Sequence, residues 1–176
     1  MIIAETDRLI LRRLEHSDAG ELFRIYSGPE MLKYLGGGPL TPASVLDSLF
    51  NHIRESYDVH GFGLWGVVLK ETGALIGRSG ILYSEINGKR GPELAYLTDS
   101  AYWGKGFASE AARAVMNVAV EEFAFSRIVA VIHPDNDASI RVIEKLGFDL
   151  ETMISSYKDF GSVLLYSRQL RVELEN

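Results

Sequence analysis

The 176-residue sequence contains no cysteine, and this absence removes several kinds of chemistry. Without thiols the chain cannot form disulfides, thiolate zinc sites, iron–sulfur clusters or a covalent thioester of its own. Histidines are few and scattered, with no His-Glu-x-x-His pattern, so we expect no built-in metal site. They stand at His16, His52, His60 and His133.

Long apolar runs are also absent. The longest apolar stretches, such as residues 111–119, are interrupted by charged and amide residues and fall short of the ~20 residues that a membrane helix needs. Glu5 and Asp7 precede any base, unlike a secretory signal, so we expect cytoplasmic residence and no membrane partner. The net charge of −6, from 18 basic and 24 acidic residues, argues against a nucleic-acid surface and mildly favours cationic partners.

What is present is the composition of one folded domain over residues 1–176, with 47% hydrophobic and 24% charged residues. Hydrophobic periodicity and turn residues predict the element order βααβββαβαββ. This order indicates a mixed α/β (α+β) domain and excludes a doubly wound sheet. The predicted elements are a strand over 8–14, two helices including one over 41–58, a hairpin over 64–83, a strand over 93–99, a helix from about 108, a strand over 127–133, a helix over 137–146, and two last strands around 159–161.

Two glycine motifs are interpreted as accidental. Residues 61–66 fit G-x-G-x-x-G, but a helical pattern precedes them and a strand follows, which is the reverse of a dinucleotide-binding loop. Residues 159–161 read Asp-Phe-Gly, but the chain lacks the other kinase motifs and is too short for two kinase lobes. We interpret the first as backbone latitude before an internal strand and the second as a hairpin turn.

A third glycine cluster, Gly104-Lys105-Gly106-Phe107-Ala108, has a different context. It follows a predicted strand and leads into a long helix. The first amides of a helix are unpaired and carry partial positive charge, so glycines there allow a phosphate to approach the bare N–H groups. The cluster therefore predicts either a phosphate cradle or, without any ligand, a tight strand-to-helix turn.

Another motif, further along the chain, favours the phosphate cradle. After the strand over 127–133 comes N-x-x-S-x-x-V-x-E-K-L-G-F over residues 136–148, and the chain opens with T-D-R-L-x-L-R over 6–12. Together with W-G-K-G-F-A-S-E-A over 103–111 and Ile76-Gly77, these motifs resemble the GNAT superfamily of acetyl-CoA-dependent N-acetyltransferases, in particular its RimJ/RimL-like branch. The resemblance covers nearly the whole chain. It implies a single GNAT-type domain with a central, mostly antiparallel twisted sheet of about seven strands flanked by about four helices.

The resemblance also implies where acetyl-CoA binds. The backbone from Gly104 to Ser109 would hold the diphosphate, the strand ending at Leu97 and Thr98 would pair with the pantetheine, and Asn136 and Ser139 would face the thiol end. Trp103 departs from the family's Gln or Arg at the first position of this fingerprint. The implied cofactor-binding set is Leu97, Thr98, Gly104, Lys105, Gly106, Phe107, Ala108, Ser109, Asn136 and Ser139. Lys105 is either a phosphate contact or a solvated loop lysine.

Because no cysteine can carry the acyl group, we expect direct attack by the amine in a ternary complex, which agrees with the resemblance. Glu93 is the candidate base, and the alternative is a carboxylate that faces solvent or pairs with Arg90. A backbone N–H near Leu97 is the candidate oxyanion donor. Many relatives place a Tyr where this chain has Ile143, so Ser139 becomes the candidate proton donor to the thiolate; the alternative is a hydroxyl that bonds only locally.

The acceptor follows least directly from the sequence. Helix 41–58 and the Gly36–Gly38 loop are predicted to form the acceptor wall, and Trp65, Tyr83 and Tyr102 either line the same groove or belong to the core. The expected acceptor is a protein N-terminal amine. The alternatives are a small amine such as a polyamine, antibiotic or metabolite, and a non-catalytic acyl-CoA sensor. Relatives of this type commonly form homodimers.

Overall fold

The protein is described by a computed structural model that covers residues 1–35 and 40–170. Its eight strands are β1 Ile2–Glu5, β2 Leu9–Arg13, β3 Leu64–Leu69, β4 Leu75–Ile86, β5 Lys89–Thr98, β6 Arg127–Ile132, β7 Asp149–Ile154 and β8 Val163–Gln169. The helices are α1 Ala19–Tyr26, α2 Pro29–Leu35, α3 Pro42–His52, α4 Phe107–Glu121 and α5 Asp137–Lys145. Helix α3 continues through a π-helical segment, Ile53–Tyr57, and a last turn, Asp58–His60. Short 3₁₀ turns occupy His16–Asp18, Ser100–Tyr102 and Lys158–Phe160.

All eight strands form one sheet in the order β1-β2-β3-β4-β5-β6-β8-β7. Every neighbouring pair is antiparallel except β5 and β6, which are parallel. The predicted mixed α/β class with a mostly antiparallel central sheet is therefore confirmed. No helix of the described residues has both the length and the apolar content to cross a bilayer.

The described residues contain one strand and one helix more than the element order read from the sequence. Strand β1 is only four residues long and pairs with β2 through a tight turn in which the Thr6 N–H donates to Leu9 O at 2.9 Å. Gly28-Pro29 predicts the end of the first helix, and α1 does end just before it, at Tyr26. The additional helix α2 then begins at Pro29. Proline suits the first position of a helix, because its missing N–H has no intrahelical partner there.

Glycine-containing turn motifs in the sequence coincide with turns in the structure. The β4–β5 hairpin turns at Asn87 and Gly88, both with positive φ, which is the geometry of an Asn-Gly hairpin. Residues 61–63 end a helical segment and lead into the internal strand β3, so the dinucleotide-loop reading is excluded. A 3₁₀ turn ending at Phe160 joins the antiparallel β7 and β8, which confirms a hairpin connection there.

The main core lies between the sheet and α4. The predicted apolar stripe of α4 is buried, with Val115 and Ala119 fully inaccessible to solvent. Strand side chains of β2, β3 and β4 pack beneath it, and Trp65 is 1% exposed. A second cluster joins α1 and α3 through Leu22 and Leu49. These contacts fix α4, and hence the loop that leads into it, against the sheet.

Strands β5 and β6 pair at only one position, Glu93 opposite Val129. Beyond this pair they part, while β5 stays in register with β4 as far as Thr98 opposite Gly77. A Cβ atom on Gly77 would lie 2.1 Å from Leu97 O, so only glycine allows β4 to approach β5 here. The sheet is therefore opened on one side of β5 and closed tightly on the other.

Candidate active site

The space between the parted strands is a cleft of about 860 Å³. Its floor is β5 from Glu93 to Thr98 together with β6. Helix α2, the loop and first turn of α4, the start of α5, and the β7–β8 connection form its walls. It brings together nine of the ten residues predicted to hold the acyl donor, and these are Leu97, Thr98, Gly104, Gly106, Phe107, Ala108, Ser109, Asn136 and Ser139.

The glycine turn forms one end of this cleft. Gly104 and Gly106 have φ values of +75° and +82°, which L side chains rarely adopt. Gly106 is the N-cap of α4, and no described residue accepts from the N–H groups of Phe107, Ala108 or Ser109. Nothing lies within 4 Å of a Cβ built on Gly104. Free amides, a helix N-terminus and open space together fit a diphosphate group.

Glu93 lies at the point where β5 and β6 part. Its side chain is buried, at 8% exposure, and its Oε2 atom has no partner among the described residues. Burial raises the pKa of Glu93 above its ordinary value, and a hydrogen bond from Ser84 and the charge of Lys158 offset this in part. The two alternatives do not hold, because the carboxylate is buried and does not face solvent, and because Arg90 pairs with Glu85 at 3.0 Å. A buried carboxyl with a raised pKa suits proton abstraction near neutral pH.

Ser139 and Asn136 lie together at the start of α5. The Asn136 side chain caps the helix by accepting from the Ser139 N–H at 3.1 Å. The Tyr96 hydroxyl, from β5, donates to the Ser139 carbonyl at 3.0 Å and so ties the floor of the cleft to this helix. Burial raises the pKa of Tyr96, which keeps its phenol protonated through neutral pH. Ile143, in place of the tyrosine common in relatives, is fully buried in the core.

Comparisons with known proteins bear on this cleft. The Acetyltransferase (GNAT) domain family matches residues 8–149. This chain belongs to the GNAT acetyltransferase family. It is 31% identical, over 87% of its length and 85% of the relative's, to the "Uncharacterized N-acetyltransferase p20" of Bacillus licheniformis.

Two solved structures show the same fold at lower identity to this GNAT enzyme. An acetyltransferase from Salmonella typhimurium, which "modifies N-terminal serine of 50S ribosomal subunit protein L7/L12", is 18% identical with a TM-score of 0.82, over 97% of this chain and all of the other. A RimL acetyltransferase in complex with coenzyme A is 20% identical with a TM-score of 0.75, over 97% and 98% of the two chains. GNAT acetyltransferases use acetyl-CoA and an amine acceptor, and this chain is an enzyme of that family.

The GNAT fingerprint departs from the family pattern at Trp103. Its indole Nε1–H donates to the Thr98 carbonyl at 2.6 Å, so the side chain bridges the end of β5 to the glycine turn. Lys105 does not line the cleft. Its Nζ lies 3.4 Å from Ala101 O and 5.4 Å from the centre of the Tyr102 ring.

The acceptor side of this GNAT domain differs from the sequence-based expectation. No described residue of α3 lines the cleft; α2 does instead, through Met31 and Tyr34 among others. The predicted Gly36–Gly38 loop lies outside the described residues. Trp65 belongs to the core and Tyr83 is exposed elsewhere, whereas Tyr102 lines the cleft.

Sequence reasoning missed Tyr157. Its side chain, on the connection between β7 and β8, is 8% exposed and lines the cleft, yet its hydroxyl has no partner among the described residues. Tyr157 belongs to the same small hydrophobic cluster as Val129 of β6 and Val163 of β8. Phe160 stacks beside it, with ring centres 6.3 Å apart. A lone tyrosine near a turn carries no sequence signal of such a position.

Proposed function

We propose that this GNAT enzyme transfers an acetyl group from acetyl-CoA to the N-terminal amine of a protein or peptide. One observation carries the proposal: a single cleft has free main-chain amides at one end and, where the strands part, a buried carboxylate with one oxygen that has no partner among the described residues. The likeness in fold to the Salmonella enzyme that modifies an N-terminal serine supports this class of acceptor.

The residues of the cleft have distinct roles in binding. The amides from Gly104 to Ser109 hold the diphosphate, and the unpaired side of β5 at Leu97 and Thr98 accepts the pantetheine as an added strand. Asn136 and Ser139 lie beside the thiol. When bound, acetyl-CoA supplies an activated acyl group as its thioester.

Direct attack by the amine forms a C–N bond and breaks the C–S bond. A protein N-terminal amine, with an ordinary pKa of ~7.7–8.0, is mostly protonated at neutral pH, so a base must remove its proton. Glu93 takes this proton, directly or through one water molecule, and its raised pKa suits the task. A main-chain N–H near Leu97 stabilises the negative charge that develops on the carbonyl oxygen. Ser139 passes a proton to the departing sulfur and regains one from solvent.

The test measures CoASH release with a thiol reagent after acetyl-CoA is mixed with peptides that begin with Ser or Ala. The matched controls are the same peptides with blocked N-termini, a polyamine and an aminoglycoside. Release that requires a free N-terminus supports the proposal. Release only with the small amines contradicts the peptide acceptor and favours a small-molecule acetyltransferase. Binding of CoA, seen as thermal stabilisation, without release from any acceptor contradicts catalysis and favours a sensor.

A further inference from the structure

The Thr6-Asp7-Arg8-Leu9 turn between β1 and β2 lies directly behind the glycine turn. The Arg8 guanidinium donates from Nε to Glu110 Oε2 at 2.7 Å and from Nη1 to the Lys105 carbonyl at 3.0 Å. Its Nη2 lies 2.5 Å from the same Glu110 Oε2. The guanidinium carbon also lies 4.3 Å from the centre of the Phe107 ring. One side chain therefore contacts the loop before α4 and the first turn of α4.

Thr6 completes this arrangement. Its hydroxyl donates to Glu110 Oε1 at 2.5 Å, and the Arg8 N–H donates to the same oxygen at 3.1 Å. Thr6 Oγ1 also accepts from the Leu9 N–H at 3.0 Å, which fixes the hydroxyl within its own turn. Burial raises the pKa of Glu110, but the hydrogen bonds from Thr6 and Arg8 outweigh it and leave that pKa below its ordinary value. The Glu110 side chain is therefore ionised, and both of its oxygens accept hydrogen bonds.

The contacts of Arg8 use three of its five guanidinium N–H groups. Its Nε and Nη2 face Glu110 and its Nη1 faces a main-chain carbonyl. The pair with Glu110 also cancels its charge. Arg8 thus acts on the glycine turn through the Lys105 carbonyl and the start of α4, whose free amides face the cleft.

We infer that Thr6, Arg8 and Glu110 are positioning residues that hold the Gly104–Gly106 turn and the first amides of α4 in the geometry that binds the diphosphate of acetyl-CoA. This inference rests on the proposed function. It gives the T-x-R motif at the start of the chain a role in donor affinity, although its side chains do not line the cleft. An anion site made of main-chain amides is only as good as the rigidity of the turn that carries it.

The direction in which Glu110→Gln changes the affinity for CoA distinguishes a positioning role of Arg8 from direct attraction by its charge. If Arg8 attracted the diphosphate by its charge, Glu110→Gln would unmask that charge and tighten CoA binding. If Arg8 positions the turn, Glu110→Gln weakens its grip and loosens CoA binding. We expect Glu110→Gln and Arg8→Gln each to raise the CoA dissociation constant by about three- to tenfold, the range for one or two lost hydrogen bonds.

The control is Arg12→Gln. Arg12 also lies on the β2 side of this turn and pairs with Asp18 at 2.8 Å, but it contacts no residue of the glycine turn. Isothermal titration with CoA gives the dissociation constants of the wild-type protein and the three variants, and thermal unfolding ranks their stabilities. A second readout is kcat/KM with acetyl-pantetheine, which lacks the diphosphate. We expect it to be unchanged in Arg8→Gln and Glu110→Gln.

Weaker CoA binding in both variants, with Arg12→Gln near the wild type and acetyl-pantetheine kinetics intact, supports the inference. Tighter or unchanged binding by Glu110→Gln overturns it, as does an equal loss with acetyl-pantetheine, which would indicate general damage to the fold. A wild-type protein that fails to bind CoA would instead refute the proposed function, so the two failures are distinguishable.

Discussion

Replacing Gly104 by alanine tests the phosphate cradle most directly, because the chain contains a matched control. Gly104 and Gly73 have φ values of +75° and +71°, and nothing lies within 4 Å of a Cβ built on either. Gly73 belongs to the β3–β4 turn, far along the chain from the cleft, and does not line it. The two substitutions therefore impose similar strain at φ, one at a residue that lines the cleft and one at a residue that does not.

The strain sets the expected loss of stability. A non-glycine residue in the left-handed region costs ~1–2 kcal/mol, which lowers the melting temperature of a chain of this size by about 2–8 °C. Both variants should show this shift. Only Gly104→Ala should also weaken CoA binding, since its methyl group or a relaxed φ displaces the diphosphate from an amide. Loss of one hydrogen bond to a charged group costs ~1.5–3 kcal/mol, or about 10- to 100-fold in dissociation constant.

Differential scanning calorimetry gives the stabilities, and isothermal titration with CoA gives the affinities. If Gly104→Ala loses stability like Gly73→Ala yet binds CoA as tightly as the wild type, the glycine turn is not the diphosphate site. If Gly73→Ala loses affinity to the same degree, the effect comes from the fold as a whole and the reasoning is equally refuted.

Glu93→Gln should lower kcat/KM by about 100-fold or more at neutral pH. Because the pKa of Glu93 is raised in the folded protein, the stability of the wild type should fall as the pH rises through that pKa. The variant, which carries no charge there, should therefore have a higher melting temperature than the wild type at pH 8. Ser139→Ala should lower kcat by about tenfold or more, because a lost general acid costs up to ~100-fold or beyond, and should hardly change the acetyl-CoA KM. Unchanged turnover would dismiss Ser139 as the acid. Tyr157→Phe, which removes only the unpartnered hydroxyl, should raise the KM of the amine acceptor while the CoA dissociation constant stays the same; an unchanged KM would count against a role for this hydroxyl. Burial lowers the pKa of His52, whose Nε2 accepts from the Leu64 N–H at 2.9 Å. The neutral imidazole therefore stabilises the fold fully above about pH 6.5, and this contribution is lost as the pH falls. Between pH 7.5 and 5, the melting temperature of the wild type should fall more than that of His52→Gln.

The fold was largely predictable because its signals are local. Asn87-Gly88 and the glycines around residue 105 predict turns, and the apolar stripe of α4 predicts its buried face. The end of α1 before Pro29 was predicted, but the start of α2 at the same proline was not, because proline can both end one helix and begin the next. Strand β1 was also missed, because it is too short to show a period of two. Cytoplasmic residence and a homodimer stay predictions.

The parts of the site that form local sequence motifs were predictable, and the contacts between distant segments were not. Motifs around residues 104 and 136 belong to segments that carry their own patterns, and the structure brings them to one cleft. The contact of Arg8 with Glu110 spans 102 residues, and no local pattern reports it. The burial of Glu93 likewise depends on Val129 beside it and on the β7–β8 connection, neither of which is visible from its own strand.

The single pairing between Glu93 and Val129 has a mechanical consequence. In the backbone pairing of the sheet it leaves a five-stranded part and a three-stranded part linked at one position, while the core against α4 contains side chains from both parts. A molecule that binds along the open side of β5 and also contacts α5 bridges the two parts. Substrate occupancy should therefore slow hydrogen exchange in β6 and β8, including at residues that the substrate does not contact.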